Sequence, residues 1–267
     1  KEIDDFKQID RLCRVQLRDL VDPDIQHIES VEARKDIITL LLNNNRALLT
    51  VRNEVKILAG GQEKFDALFE AIRGATSSIH LEYYIIEEDH IGRELIALLE
   101  QKAAEGVEVR LIYDDVGSWS LKRRDVRRLR RNGIRVYGFM PVVFPWLTSK
   151  LNNRNHRKIA VIDGRIGFTG GINVADRYIQ GTSFGRWRDL HLRIEGDAVN
   201  MLQAIFMTDW YFVSGKERLS DEKYFPKSRV QRRSPMQIAS SGPDSDWASI
   251  MQAFFAAISR ARRSIYI

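Results

Sequence analysis

The sequence contains almost no cysteine and no long apolar run. Cys13 is the only cysteine in 267 residues, so an internal disulfide and a zinc site built from several cysteines are both excluded. No apolar stretch approaches the roughly 18–20 residues that span a bilayer, and no signal peptide opens the chain. Because the first residue is Lys1 rather than methionine, we expect a processed or trimmed chain that has lost an N-terminal membrane anchor.

The charge of the chain is positive and unevenly distributed. Hydrophobic residues make up 44% and charged residues 29% of the sequence, which indicates a globular protein and excludes disorder. The net charge of +6 is concentrated in three basic stretches, at 122–135, 227–233 and 260–263. Each stretch fits either a solvated surface or attraction to a polyanion. Aromatic residues do not alternate with the arginines, which favours anionic lipid over nucleic acid as that polyanion.

The pattern of apolar residues divides the chain into three parts. Residues 1–50 form an amphipathic helical segment. Residues 51–233 alternate between strand and helix, which predicts an α/β domain around a mixed, largely parallel sheet. The predicted strands are 54–58, 78–86, 107–113, 134–139, 156–162, 166–169 and 188–195, and the predicted helices are 64–75, 90–105 and 121–132.

An internal repeat defines the third part, residues 234–267. The segment 69–81 (FEAIRGATSSIHL) resembles the segment 255–267 (FAAISRARRSIYI), so that Phe69 matches Phe255 and Ile72 matches Ile258. A helix that leads into a strand therefore recurs near the end of the chain. We expect a second copy of the domain to begin here and to continue beyond residue 267, although two amphipathic helices can also resemble each other by chance.

The residues 152–173 (NNRNHRKIAVIDGRIGFTGGIN) carry the groups suited to catalysis. In the predicted strand His156 and Lys158 project from the same face, which places a nucleophile or acid beside a fixed cation. Asp163 lies at an odd separation from His156 and begins a hairpin turn, so we assign it a structural role first. The turn Gly170-Gly171 and Asn173, at the start of a predicted helical stretch, favour binding of a phosphate without a metal ion. Without this context, His156 would be read as a core histidine and Asn173 as a helix cap.

Further polar residues lie on the neighbouring predicted strands. Asp189 is our choice for the carboxylate that orients the imidazole of His156, against the alternative of a surface acid. Glu82, Tyr84 and Asp114 lie at strand ends, where they can line a pocket. His80 and His191 lack partners at ligand spacing, so we assign them structural roles.

An apolar segment, PVVFPWLTSKL at 141–151, precedes the strand that carries Lys158. It is either a buried crossover or a loop that contacts a membrane through Phe144, Trp146 and Leu147.

The spacing of these residues resembles a known family. His156, Lys158, Asp163, Gly170, Gly171 and Asn173 fit H-x-K-x4-D-x6-G-G-x-N, the signature of the phospholipase D superfamily. Within that superfamily the segments HLEYYI (80–85), GVEVRLIYDDVGS (106–118) and WRDLH (187–191) resemble the bacterial cardiolipin synthases. The resemblance covers residues 50–267 and is looser before residue 50.

The resemblance implies a fold, an activity and a partner. It implies an α/β/α sandwich whose active site joins two motifs, so the second half must come from the same longer chain or from a second copy. It implies that His156, Lys158 and Asp163 act without cofactor or metal, with His156 as nucleophile or acid. The implied reaction joins two phosphatidylglycerol molecules into cardiolipin and glycerol through phosphohistidine; hydrolysis of phospholipid or nucleic acid is the alternative. The implied location is the bacterial inner membrane. The single cysteine and the basic stretches favour a catalytic part that faces the cytoplasm.

Overall fold

The computed structural model describes residues 31, 33–139, 155–183, 185, 187–215, 217, 219, 221–242 and 247–266. The predicted helical segment up to residue 30 and the predicted membrane contacts Phe144, Trp146 and Leu147 lie outside these residues. The chain divides into two compact units. The larger unit is Glu54–Val230, and the smaller unit combines the residues up to Asn53 with those from Gln231 onward.

A mixed sheet forms the centre of the larger unit. Its strands are β1 (Thr50–Ala59, which begins in the smaller unit), β2 (Ser78–Tyr83), β3 (Glu108–Asp114), β4 (Arg135–Phe139), β5 (Lys158–Ile162), β6 (Ile166–Gly170) and β7 (Leu190–Gly196). Their spatial order is β4-β3-β2-β5-β6-β7-β1. The pairs β2–β3 and β3–β4 are parallel, whereas β2–β5, β5–β6 and β6–β7 are antiparallel. The expected mixed sheet is confirmed, but the sheet is not largely parallel, because the short turn between β5 and β6 permits only antiparallel pairing.

Helices cover both faces of this sheet, as the predicted α/β/α sandwich requires. The helices α2 (Gly61–Arg73), α3 (His90–Ala104) and α4 (Arg123–Arg131) pack with Ile79, Leu81 and the adjoining strands into one large core. A long helix on the other face, which is α6 (Ala198–Val213), contributes Phe206 and Trp210 to a separate cluster around Ile112 of β3. Because strand side chains alternate, His80 and Glu82 of β2 point towards α6.

The segment after β6 differs from the prediction. We expected Asn173 to open a helix, but the next helix is the short α5 (Arg177–Gln180), followed later by a 3-10 turn at Glu222–Tyr224. A helix of four residues has little stability of its own, because the conformational entropy lost in forming the first turn exceeds the free energy of the few hydrogen bonds it gains. We predicted a helix N-terminus beside Gly170-Gly171 that could bind an anion. Within the described residues 171–176 no helix begins, so this feature is not present there.

The smaller unit joins sequence segments that the prediction kept apart. Helix α1 (Lys35–Asn45) packs on helix α7 (Ser249–Ser259), and strand β8 (Arg233–Met236) pairs antiparallel with the start of β1. The side chain of Asn44 donates to Gln252 at 2.9 Å, and the backbone N–H of Ser240 donates to Asn45 at 2.9 Å. The helix of the predicted repeat is thus present as α7. No strand follows it within residues 260–266, and the start of a second domain copy remains a prediction.

None of the helices within the described residues is both long enough and apolar enough to cross a membrane.

Candidate active site at one edge of the sheet

One edge of the sheet collects most of the predicted site residues. The carboxyl ends of β2, β3 and β6 and the amino ends of β5 and β7 meet there, because β5 and β7 run antiparallel to their neighbours. The residues brought to this edge are Tyr84, Asp114, His156, Lys158, Gly170, Gly171 and Asp189.

His156 and Lys158 form a close pair at this edge. Lys158 opens β5 and is buried, whereas His156 precedes the strand and is exposed. The Lys158 Nζ lies 3.0 Å from Nδ1 of His156 and donates to the His156 carbonyl oxygen at 2.7 Å. The ring of Tyr84 lies 4.6 Å from the His156 ring and 5.4 Å from the Lys158 ammonium. The pair is therefore held rigidly on one side and open to solvent on the other.

The surroundings lower the pKa of both members of the pair. Partial burial, and then the charge of Lys158, lower the pKa of His156, while Asp114 opposes this shift. Burial also lowers the pKa of Lys158 to about 8, against the opposing charge of Asp189. At neutral pH the imidazole is consequently neutral and the ammonium is still charged, which suits a nucleophile beside a phosphate-binding cation.

Asp163 lies at the opposite end of β5, away from His156. Its carboxylate accepts hydrogen bonds from the backbone N–H groups of Thr76, Ser77 and Ser78 at 2.9, 2.8 and 2.8 Å. Its φ of 54° belongs to the left-handed region, which aspartate tolerates in turns. Asp163 therefore has a structural role in this structure, as its odd separation from His156 suggested. Its hydrogen bonds connect the hairpin turn to the start of β2.

Asp189 and the two glycines pack closely together. A Cβ on Gly171 would lie 2.1 Å from Oδ1 of Asp189, and a Cβ on Gly170 would lie 2.6 Å from Cα of His191. Glycine is therefore needed for this close packing. The N–H of Gly171 donates to the Leu190 carbonyl at 3.0 Å, so it does not point to an anion as we expected. We expected Asp189 to orient the imidazole of His156, but the side chain next to Nδ1 of His156 is Lys158. The charge of Asp189 acts on Lys158, whose pKa it raises.

Asn173 is buried behind the edge. Its Oδ1 accepts from the backbone N–H of Ile85 at 3.1 Å, and its Nδ2 donates to the hydroxyl of Tyr178 at 2.8 Å. These contacts hold the end of β2 against the segment after β6. One Nδ2 hydrogen is left over in this arrangement, so a contact to phosphate remains a prediction.

Glu82 and Asp114 do not line an open pocket, because both are 1% exposed. They bind Asn155, the residue before His156: its backbone N–H donates to Oδ2 of Asp114 at 3.2 Å, and its side chain donates to Glu82. Tyr84 is half-buried, against His156.

Sequence reasoning missed three residues of this region. Asn155 and Arg157 flank His156 directly, and Arg157 pairs with Asp209 of α6. The available signal was Asp209 itself, an acid within the otherwise apolar stretch 204–213, where a charged residue needs a buried partner.

The histidines assigned structural roles are buried within the fold. The ring of His80 stacks on Phe206 at 4.7 Å and binds the side chain of Gln203. Burial lowers the pKa of His80 to about 3 and that of His191 to about 2, so both are neutral at physiological pH. The described residues contain no group of three or more His, Cys, Asp or Glu side chains placed to hold a metal ion.

Half of the eight basic side chains in the stretch 122–135 form ion pairs. Arg128 lies 2.8 Å from Glu100, while Lys122 and Arg124 lie 2.6 and 3.0 Å from Glu88. These exposed ion pairs fit a solvated surface helix, the simpler of the two interpretations of this stretch.

Comparison with known proteins agrees with this geometry. The family described as "Cardiolipin synthase, PLD-like domain" matches residues 68–210. A cardiolipin synthase of Staphylococcus aureus is 48% identical over 235 residues, covering 87% of this chain and 48% of the relative. A cardiolipin synthase of Listeria monocytogenes is 43% identical over 240 residues, covering 89% of this chain and 50% of the relative.

The comparison of structures supports the fold. The phosphatidylserine synthase of Haemophilus influenzae superimposes with a TM-score of 0.55 at 13% identity, covering 82% of this chain and 57% of that chain. The chain spans about half the length of the curated relatives it matches. From its matching residues and its fold, the chain belongs to the family of cardiolipin synthase, phospholipase D-like domains.

Proposed function

We propose that this chain is the first half of an enzyme that transfers a phosphatidyl group between two phosphatidylglycerol molecules, giving cardiolipin and glycerol. The observation that carries the proposal is the 3.0 Å contact between His156 and Lys158 at an open sheet edge, in a chain 48% identical to a cardiolipin synthase. The other half of the site would come from a second motif, either further along the same polypeptide or in a second copy of the chain.

The first step would be attack by an imidazole nitrogen on the phosphodiester. Lys158 lies against Nδ1 of His156, so Nε2 is the ring nitrogen open to the substrate. It attacks in the tautomer that carries its proton on Nδ1, in which Lys158 keeps only its bond to the His156 carbonyl. A bond forms between Nε2 and phosphorus, and the bond from phosphorus to the glycerol headgroup oxygen breaks. The histidine of the second motif supplies the proton that releases this oxygen as glycerol. The lowered pKa of His156 favours its assignment as the nucleophile, because only the neutral ring attacks.

The second step would reverse these roles. The histidine of the second motif removes a proton from the headgroup hydroxyl of a second phosphatidylglycerol. The resulting oxygen attacks phosphorus, the bond to Nε2 breaks, and cardiolipin is released. Lys158 stabilises negative charge on the non-bridging oxygens in both steps, with Asn173 as a second proposed donor. Asp189, which acts on Lys158, would keep that ammonium charged.

Water in place of the second phosphatidylglycerol would give hydrolysis to phosphatidic acid. The exposed position of His156 makes this the nearest alternative, because an open site also admits water. We further propose that the whole protein acts at the bacterial inner membrane, anchored by a segment outside this sequence, with the catalytic part facing the cytoplasm.

Product analysis with the full-length protein tests the proposal. Vesicles of phosphatidylglycerol are expected to yield cardiolipin and free glycerol, whereas a hydrolase would yield phosphatidic acid and glycerol. His156→Ala should abolish turnover, and the exposed His90→Ala serves as the matched control. Phosphatidylglycerol radiolabelled at its phosphorus should leave an acid-labile label on wild type but not on His156→Ala. Phosphatidic acid as the sole product would overturn the transferase assignment.

The pH profile of transfer gives a second test. Activity should fall at acid pH with a midpoint below 6.5, because protonation removes the nucleophile. It should fall again as the pH rises past about 8, because Lys158 then loses its charge. In Lys158→Arg the guanidinium stays charged, so the alkaline fall should move upward even though the rate is lower. An unchanged alkaline limb in that variant would contradict the role of Lys158.

A further inference from the structure

Asn155, the residue before His156, is hydrogen-bonded to side chains of two strands. The backbone N–H of Asn155 donates to Oδ2 of Asp114 on β3 at 3.2 Å, and its side-chain amide donates to Oε1 of Glu82 on β2. The Asn155 Oδ1 in turn accepts from the backbone N–H of Arg157 at 3.0 Å, across His156. The loop that presents the imidazole is therefore bound to the sheet below it.

Arg157, the residue after His156, is bound to helix α6. The guanidinium of Arg157 donates to Oδ2 of Asp209, which lies on α6 and is 8% exposed. A part-buried, charge-assisted pair of this kind is stronger than a fully exposed one and restricts the backbone that carries it. The side chain of Asp209 thus connects helix α6 to the loop that carries His156.

The acceptors of these two contacts are carboxyl groups, Glu82 for Asn155 and Asp209 for Arg157. Glu82 is buried and interacts with the carboxyl of Asp209. Its Oε2 is inaccessible to solvent, and within the described residues no donor group reaches it. Burial, followed by the nearby Asp209, raises the pKa of Glu82 well above its usual range, with smaller opposing effects from Arg157 and Asn155. A proton shared between Glu82 and Asp209 would give the buried Oε2 a partner and would leave Asp209 the negative charge that pairs with Arg157.

We propose that protonated Glu82 and ionised Asp209 form a proton-sharing pair that positions His156 by holding Asn155 and Arg157 on either side of it. Neither acid touches the reacting atoms, so both are positioning residues. The catalytic consequence rests on the proposed function. The sharing of the proton does not, and it can be measured on its own.

The first test uses the kinetics of phosphatidyl transfer by the full-length protein. Asp209→Asn and Arg157→Gln should each lower kcat about 10- to 100-fold with little change in KM, because the imidazole is displaced while the lipid site is intact. If Asp209 acts through Arg157, the double variant should be no worse than the poorer single variant. Thr208→Ala, an exposed neighbour on α6, is the control. Additive losses, or losses confined to KM, would overturn the inference.

The second test asks whether the hydrogen-bonding groups of Glu82, rather than its size, position the loop. Glu82→Gln keeps an acceptor for Asn155 and a donor for Asp209, whereas Glu82→Leu removes both. Transfer should therefore be retained far better in Glu82→Gln than in Glu82→Leu. Equal losses in the two variants would show that the hydrogen bonds of Glu82 have no positioning role.

The third test needs no activity. Folded Glu82 keeps a proton that unfolded glutamate releases, so wild type should lose stability relative to Glu82→Gln as the pH rises from about 5 to 8. Parallel stability curves would mean that Glu82 is ionised, and the inference would fail. Diverging curves in a protein without transferase activity would instead disprove the proposed function and leave the pair intact.

Discussion

Helices α2 and α7 carry the same apolar pattern in different surroundings. The four core positions of α2 are at most 4% exposed; they are Phe65, Leu68, Phe69 and Ile72. The corresponding positions of α7 are 48–73% exposed; they are Met251, Phe254, Phe255 and Ile258. Sequence pattern thus specifies the helix and its apolar face, but only the neighbouring elements decide whether that face is buried.

The difference lies in what each helix packs against. Helix α2 lies on the sheet, where β2 and β3 supply Ile79, Leu81 and Leu111. Helix α7 is joined to α1 by polar contacts, such as the Asn44–Gln252 hydrogen bond and the ion pair between Arg260 and Asp36. Polar contacts at one side of a helix leave its apolar side uncovered, and a face of this size is typical of an interaction surface.

The largest expected effect is the contrast between two matched phenylalanines. Phe69→Ala should lower the free energy of unfolding by about 3–5 kcal/mol, because it leaves a cavity in the core. Phe255→Ala in this chain should change it by less than about 0.5 kcal/mol, because the side chain is already 73% exposed. Urea unfolding of the two variants checks this prediction. Comparable losses would mean that α7 is covered in solution.

The full-length protein should reduce that contrast. If residues 234–267 begin a second domain copy, a following sheet would cover α7 as β2 and β3 cover α2. Phe255→Ala in the full-length protein should then cost about 3 kcal/mol or more, close to the cost of Phe69→Ala. Unfolding of the full-length variants, with the exposed Trp119→Ala as control, measures this. A cost still near zero would contradict the repeat.

A smaller effect is expected at the one core position where the repeats differ in polarity. Lys64 of α2 is fully buried against the rings of Phe65 and Tyr83, at 3.8 and 4.7 Å, and matches Ile250 of α7. No hydrogen-bond partner for its ammonium lies within the described residues. Lys64→Ile should therefore stabilise the chain by about 1–3 kcal/mol.

The pH dependence of this gain identifies its cause. Burial lowers the pKa of Lys64 well below its usual value, so the folded state releases a proton that the unfolded state still holds. Wild type should accordingly gain stability as the pH rises towards 10, and the advantage of Lys64→Ile should shrink. Thermal unfolding between pH 6 and 10 measures both curves. A gain that does not vary with pH would point to packing rather than charge.

The parts of the fold predicted correctly are those encoded locally. Alternating apolar residues predicted β3, whose observed bounds Glu108–Asp114 are one residue from the expected 107–113. The short spacing of His156 and Lys158 predicted their proximity, and the two side chains are in contact. Periodicity and motif spacing depend on neighbouring residues, which the sequence displays directly.

The parts that were missed depend on contacts between distant segments. Asp209 is 52 residues from Arg157, and no local pattern joins them. Gly171 was expected to cradle phosphate, but close packing against Asp189 accounts for the glycine. Similarly, no helix opens at Asn173, whose side chain instead bonds to the backbone of Ile85 and the hydroxyl of Tyr178. Tertiary packing overrides local preference at each of these positions.

The smallest expected effect concerns how the two helices begin. Neither Gly60 before α2 nor Ala248 before α7 caps its helix through its own side chain, whereas Asp89 caps α3 by accepting from the N–H of Gly92 at 3.0 Å. Ala248, before α7, has a φ of −75° that any residue can adopt, so Ala248→Asp should add about 0.5–1 kcal/mol.

Gly60, before α2, has a φ of 100°, which disfavours every residue except glycine. Gly60→Asp should consequently cost about 1 kcal/mol or more, even though aspartate is the better cap. Open space surrounds the position of a Cβ on Gly60, so backbone strain alone would account for the loss. Urea unfolding of both variants should therefore show changes of opposite sign for the same substituted residue. Changes of the same sign would mean that capping, rather than backbone conformation, decides the outcome at both helix starts.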